Sequence, residues 1–186
     1  NEALDRFEED PDQWVAVLTG GRDMFSAGSD LKEGSGKTDR GGEYGIIRRK
    51  RMKPIVAAAE GLALGGGMEI LFCCDVIVAS RDLRLGLPEV KRGVLPTSGG
   101  LFRALRSLPM HVAKEVALTG EELSADRALG VKGHDWFGHA ALSHQFASAS
   151  KALRASQQMA KARSASGSSA TAARRRLAGR ACGESR

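Results

Sequence analysis

Pro54-Ile-Val-Ala-Ala-Ala-Glu60-Gly-Leu-Ala-Leu-Gly65-Gly66-Gly67-Met68-Glu69-Ile-Leu-Phe-Cys-Cys-Asp75 is the stretch that decides the fold. It opens as a short apolar run of strand character, passes through three consecutive glycines and continues as an apolar segment with helical spacing. That order spells a strand, a turn and the start of a helix. Three glycines permit a tight bend and let a ligand approach the main chain with no Cβ in the way. The amides left free at the helix start point into the turn, with the positive end of the helix dipole behind them. Such a turn suits an oxygen that becomes negative.

Upstream, Leu4 and Phe7 mark one face of a helix that Asp10-Pro11-Asp12 ends. Residues 14–19 form a continuous apolar strand, of the kind buried on both faces in an α/β protein. Gly20-Gly21 closes it. Residues 25–32 are a loop with small residues at its centre, and a polar, Gly-rich stretch to Gly45 reads as mobile. Residues 46–53 predict a short basic helix, whose Arg48, Arg49, Lys50, Arg51 and Lys53 make either a solvated face or a contact with a phosphate-bearing ligand.

Downstream, residues 76–80 form a second buried-type strand and residues 85–90 a short extended piece. Residues 93–100 turn into a helix over 101–108. Pro109 opens the next helix, which carries Val112, Val116 and Leu118. Residues 119–129 read as a loop and a Ser-capped helix. Strands alternating with helices argue for an α/β fold with a mostly parallel sheet. No internal repeat is visible.

The 186 residues, 42% of them hydrophobic, suffice for one domain with a real core. No apolar run approaches the roughly 20 residues needed to span a bilayer, and no signal peptide opens the chain, so a soluble, cytoplasmic protein without membrane contact is expected. The formal net charge of +6 is unevenly placed. From Lys151 onward, nine Lys and Arg face one acid, Glu184, which leaves the first 150 residues at −2. The body therefore gives no hint of a nucleic-acid partner. Residues 1–130 are expected to form the core, and residues 131–186 an Ala/Ser/Arg-rich tail that is partly disordered. Cys73 and Cys74 read as buried thiols and Cys182 stands alone, so no disulfide framework is present.

The usual catalytic signatures are missing. No Gly-x-x-x-x-Gly-Lys-[Ser/Thr] appears, so the triple glycine is not a nucleotide P-loop. No Gly-x-Ser-x-Gly elbow surrounds Ser29. His134, His139 and His144 are five residues apart, off a common helical face, and no metal site is expected. What remains is two small-residue turns, each able to offer a backbone amide, with Glu69 and Glu89 beside them. Local sequence leaves two readings of these carboxylates open. Glu69 is either a helix-start Glu favoured by the dipole, with Glu89 an exposed turn residue, or the two perform general acid and base work.

Residues 25–32 (Phe-Ser-Ala-Gly-Ser-Asp-Leu-Lys), Gly61-Leu-Ala-Leu-Gly-Gly-Gly-Met-Glu69, Cys74-Asp75, Leu87-Pro-Glu89 and Pro96-Thr-Ser-Gly-Gly100 follow one another in the order of the enoyl-CoA hydratase/isomerase (crotonase) superfamily, and from residue 3 to about 129 the chain resembles that family. The resemblance implies a spiral of repeated β-β-α units and helices that trimerise, as a homotrimer or a dimer of trimers. It implies that the amides of Ser29 and Gly66 form the oxyanion hole for a thioester carbonyl, where the family usually has Ala in place of Ser29. Glu69 would be the base on the attacking water, and Glu89 the acid that protonates the α-carbon. Ala27, Lys32, Gly65 and Thr97 would contact the acyl-CoA: the Ala27 carbonyl the adenine amino group, Lys32 the phosphates. Thr97 stands where Gly or Ala is common and narrows the acyl pocket. With both carboxylates present, hydration of a trans-2-enoyl-CoA is the expected reaction, with no cofactor beyond the coenzyme A of the substrate; an isomerase or dehydratase is the alternative. The resemblance also implies earlier strands before Leu4 and amphipathic helices after Gly130. Their absence leads to the expectation of a chain cut at its start and shifted in reading frame near Gly130. A non-catalytic, RNA-associated protein is the competing class, resting on Arg174-Arg175-Arg176, but the tail lacks aromatic residues for base stacking after Phe146.

Overall fold

The central stretch folds as two strands. In the computed structural model, which describes residues 1–30, 32 and 36–130, β5 (Ile55–Ala59) ends at Glu60-Gly61 and the chain turns into β6 (Leu62–Leu64) before the glycines. The turn needs glycine: Gly61 has φ +67°, and a Cβ there would stand 2.1 Å from the Asp23 carbonyl oxygen. The two strands then belong to different sheets. β5 lies between β1 (Ala16–Thr19) and β7 (Val76–Ala79) in a three-stranded parallel sheet. β6 lies between β2 (Met24–Ser26) and β8 (Arg84–Gly86), parallel to both, and β9 (Leu123–Ser124) adds antiparallel to β8.

The same split recurs three times. β1 and β2, β5 and β6, and β7 and β8 each send the first strand to one sheet and the second to the other. This is the spiral of strand pairs and helices that the family resemblance implied. What repeats is the backbone path; the sequence carries no matching repeat, because each turn of the spiral packs different neighbours. Helix α2 (Gly66–Leu71) follows the second pair, and a one-turn 3-10 helix (Pro88–Arg92), α3 (Gly100–Ser107) and α4 (Met110–Thr119) follow the third. Gly66, Gly67, Met68, Glu69 and Leu71 of α2 are all buried, with the helix packed against β2, β6 and α3. Leu85, Leu87, Leu108 and Leu123 close the core around it. Ser124 caps α5 (Ala125–Gly130) as expected, its Oγ accepting from the Arg127 amide at 3.2 Å. Helix α1 (Glu2–Glu9) buries Phe7, and the chain leaves it at Asp10. Among the described residues, no helix is long and apolar enough to cross a membrane.

Several expectations are corrected. Among the described residues β1 pairs only with β5, at one edge of its sheet, and is half-buried with Thr19 exposed. Part of the Gly-rich stretch is ordered as a hairpin of β3 (Lys37–Thr38) and β4 (Gly42–Glu43). Residues 46–53 form turns, bends and irregular chain, not a helix, and much of the basic run is engaged in ion pairs and carbonyl contacts, not simply solvated. Arg48 pairs with Glu43 at 3.0 Å, Arg49 with Asp5 at 2.6 Å and Arg51 with Asp75 at 2.5 Å. The Lys53 ammonium donates to the Phe7 and Asp10 carbonyls, both at 2.6 Å. Arg49, Arg51 and Lys53 thus pin α1 and the end of α2 to the chain between them, while Arg48 holds β4. Leu118, expected on the core face of α4, is 72% exposed, whereas Val112 and Val116 are buried. The tail, its three histidines, Cys182 and the basic cluster at Arg174 lie outside the described residues.

Candidate active site

Glycine geometry brings the two small-residue turns into contact. Gly28 has φ +87°, and a Cβ on it would stand 2.7 Å from the Gly66 nitrogen. A Cβ on Gly67 would stand 2.0 Å from the Ser26 carbonyl oxygen. The loop after β2 and the start of α2 therefore meet backbone to backbone. Gly66 is the first residue of α2, so its N–H has no acceptor within the helix. At six residues α2 is short, and the oriented amide carries more of the local field than a macrodipole does.

Beside this junction is a cavity of about 400 Å³. Ala27, Ser29, Gly65, Gly66, Glu69, Glu89 and Thr97, seven of the eight residues singled out from the sequence, line it. Lys32 does not: it is exposed on the loop beyond Ser29, where its amide donates to Asp30 Oδ1 at 2.7 Å.

The two carboxylates face the cavity in different surroundings. Glu69 is buried, and its Oε1 accepts from the Gly100 amide at 2.8 Å. A Cβ on residue 100 would sit tightly, 3.1 Å from that oxygen. Burial pushes the Glu69 carboxyl above its ordinary range; the Gly100 amide, the amide and hydroxyl of Ser98 and the charge of Arg103 pull it part of the way back. Glu89 is held against Gly65, where a Cβ would lie 3.1 Å from its Oε1. Its Oε2 is buried with no hydrogen-bond partner among the described residues. Burial raises its pKa first; its own backbone amide lowers it, and the neighbouring charge of Glu69 raises it again. One carboxylate thus has donors for its anion, and the other has a bare oxygen that favours the acid. Two like groups stand in unlike surroundings.

Sequence reasoning missed Tyr44, the chain's single tyrosine, which lines the cavity from the turn after β4. Its hydroxyl hydrogen-bonds Ser29 Oγ at 2.6 Å. No local pattern announces it, although a lone Tyr beside a Gly-rich turn is a usable signal. Ser98 and Gly100 were inside a quoted motif without a role. Arg92, Val94 and Leu95 complete one wall. The adjacent thiols are inert, as expected of core cysteines: burial raises Cys73 to about 11 and Cys74 to about 12. Among the described residues, no cluster of His, Cys, Asp and Glu could hold a metal ion.

Comparison with known proteins agrees with this fold. A family model described as enoyl-CoA hydratase/isomerase matches residues 1–177. Mevalonyl-coenzyme A hydratase of Aspergillus fumigatus is 42% identical over 129 residues, 65% of this chain and 48% of its own length. Carnitinyl-CoA dehydratase of Salmonella enteritidis is 39% identical over 136 residues, 69% of this chain and 52% of its own. The chain thus spans about half the length of the curated relatives it matches. Among solved structures, the enoyl-CoA hydratase EchA1 of Mycobacterium marinum superposes with a TM-score of 0.70 at 38% identity, covering 99% of this chain and 71% of that one. A carnitinyl-CoA dehydratase of Mycobacterium avium gives 0.70 at 38%, covering 83% and 62%.

Proposed function

The chain belongs to the enoyl-CoA hydratase/isomerase family, and from that premise we propose that it adds water across the double bond of a trans-2-enoyl-CoA to give a 3-hydroxyacyl-CoA. The observation that carries the reading is the pair of carboxylates: Glu69 with donors around its anion and Glu89 with a bare buried oxygen, on one cavity beside the Gly66 amide. The thioester oxygen would accept from the amides of Ser29 and Gly66. Glu69 takes a proton from water as its oxygen bonds the β-carbon, and the electron pair of the double bond moves toward the thioester oxygen as an enolate. Glu89 then gives its proton to the α-carbon. Each amide that meets the enolate oxygen is worth about 3 kcal/mol of barrier, because the donors are fixed before the charge develops. No cofactor is needed beyond the coenzyme A that the substrate carries.

The reverse reaction, dehydration of a 3-hydroxyacyl-CoA, uses the same groups. The relatives named as mevalonyl-CoA hydratase and carnitinyl-CoA dehydratase favour an acyl group with polar substituents. Arg92 and Thr97 on the cavity wall fit that preference. Isomerisation would need only one carboxylate to carry a proton, and leaves the second without work. Loss of the enoyl-thioester absorbance of crotonyl-CoA tests the reading, on the parent chain and on Glu69→Gln and Glu89→Gln. Turnover abolished in both variants supports it. Full turnover in either variant, or binding of crotonyl-CoA without hydration by the parent, points to another acyl-CoA reaction.

A further inference from the structure

Tyr44 is the one non-glycine residue with positive φ among the described residues, at +55°. A tyrosine enters that region only where its surroundings hold it there. They do: its amide donates to the Gly36 carbonyl at 3.1 Å, and the following Ile46 and Ile47 are buried. The Arg49 guanidinium, fully buried, donates to the Gly45 carbonyl at 2.8 Å and to Asp5 at 2.6 Å. The turn therefore delivers the ring to a fixed place. That place is the junction of the two glycine turns. The hydroxyl is 2.6 Å from Ser29 Oγ, and a Cβ on Gly66 would lie 2.0 Å from it. The phenol thus touches both residues whose amides face the thioester oxygen in the reaction above.

We propose that the Tyr44 hydroxyl is a third donor to the thioester oxygen, with Ser29 Oγ as the group that holds it in place. The inference rests on the acyl-CoA reading of the cavity. Either hydroxyl can donate in the Ser29–Tyr44 bond; with substrate bound, Ser29 Oγ–H donates to Tyr44 and frees the Tyr44 O–H for the thioester oxygen. The Ser29 side chain then has a purpose that its backbone amide does not serve. The bare glycine at position 66 has a second purpose as well, since any side chain there would displace the phenol.

Acetoacetyl-CoA is the probe, because the ultraviolet band of its enolate reports donors at the thioester without any hydration step. The parent chain should bind it and raise its enolate fraction. Tyr44→Phe keeps the ring and loses the donor: the affinity should stay within about twofold, the enolate fraction should fall about tenfold or more, and crotonyl-CoA turnover should drop through kcat with KM little changed. Ser29→Ala, which keeps the backbone amide, should lose less, and the double variant should be no worse than Tyr44→Phe alone, since both act through one group. An unchanged enolate fraction in Tyr44→Phe, independent losses in the double variant, or a parent that binds no acetoacetyl-CoA or binds it without the band overturns the proposal. Should Tyr44→Phe fail to fold, Ser29→Ala against the parent decides, with an unchanged band counting against it. An enolate band that depends on Tyr44 in a chain that does not hydrate crotonyl-CoA would sink the hydratase reading alone.

Discussion

Gly67→Ala tests whether the two glycine turns are held at contact distance. A Cβ on residue 67 would lie 2.0 Å from the Ser26 carbonyl oxygen and 2.7 Å from its carbon, both backbone atoms of β2. Reaching even 3.0 Å requires the start of α2 and the end of β2 to part by about 1 Å, and neither can give by rotating a side chain. Overpacking of this kind costs about 1–3 kcal/mol, which lowers Tm by roughly 5 °C in a chain of this size. The same separation moves the Gly66 amide away from the Ser29 loop. A displacement of about 1 Å at reacting groups costs on the order of 100-fold in turnover. The assay is thermal unfolding by circular dichroism alongside crotonyl-CoA turnover per folded molecule. Gly93→Ala is the control: it has φ +67° and nothing within 4 Å of its Cβ, so it should lose about 1 kcal/mol to backbone strain and keep its turnover. Equal Tm and turnover in Gly67→Ala and the parent would refute the contact between the turns.

Removing the bare carboxylate with Glu89→Gln should abolish turnover and yet raise the urea midpoint near neutral pH, because a charged form disfavoured by burial is gone. The pH profile of turnover should be a bell with both limbs above the ordinary Glu value of 4.5: the acid limb follows Glu69, which must be ionised, and the alkaline limb follows Glu89, which must hold its proton. Limbs in the ordinary carboxylate range would contradict the assignment. Glu43 is held down to about 2 by Arg48, so between 4.5 and about 2 the unfolded chain binds more protons and stability should fall as pH drops; urea midpoints at about pH 5 and about pH 3 should differ less in Glu43→Gln than in the parent. Arg49→Ala removes a buried guanidinium that bonds Asp5 and the Gly45 carbonyl; Asp5 keeps Arg40, so the cost should be about 1–2 kcal/mol, from the hydrogen bond lost at the Gly45 carbonyl, read by chemical denaturation.

What the sequence determined by itself was local. The strands at residues 55–59 and 76–79, the glycine turn, the buried helix at Met68, the helices after residue 100 and the Ser124 cap follow from periodicity and turn chemistry, which act between residues a few positions apart; the short strands β6 and β9 carry no such signal. The motifs also named seven residues that the fold gathers on one cavity. Tertiary structure decided the rest. A short apolar strand is the same whether it lies at an edge or in the middle of a sheet, so the position of β1 and the alternation of strands between two sheets depend on pairing across tens of residues. The basic run acquired its role only when Asp5, Glu43 and Asp75 came beside it. Glu69 and Glu89 are alike in sequence and became unlike because the Gly100 amide and Ser98 reached one, whereas the other has its own amide and one buried oxygen without a partner among the described residues. Tyr44 reached the site through a left-handed turn fixed by a buried arginine, and only the folded chain sets that arginine in place.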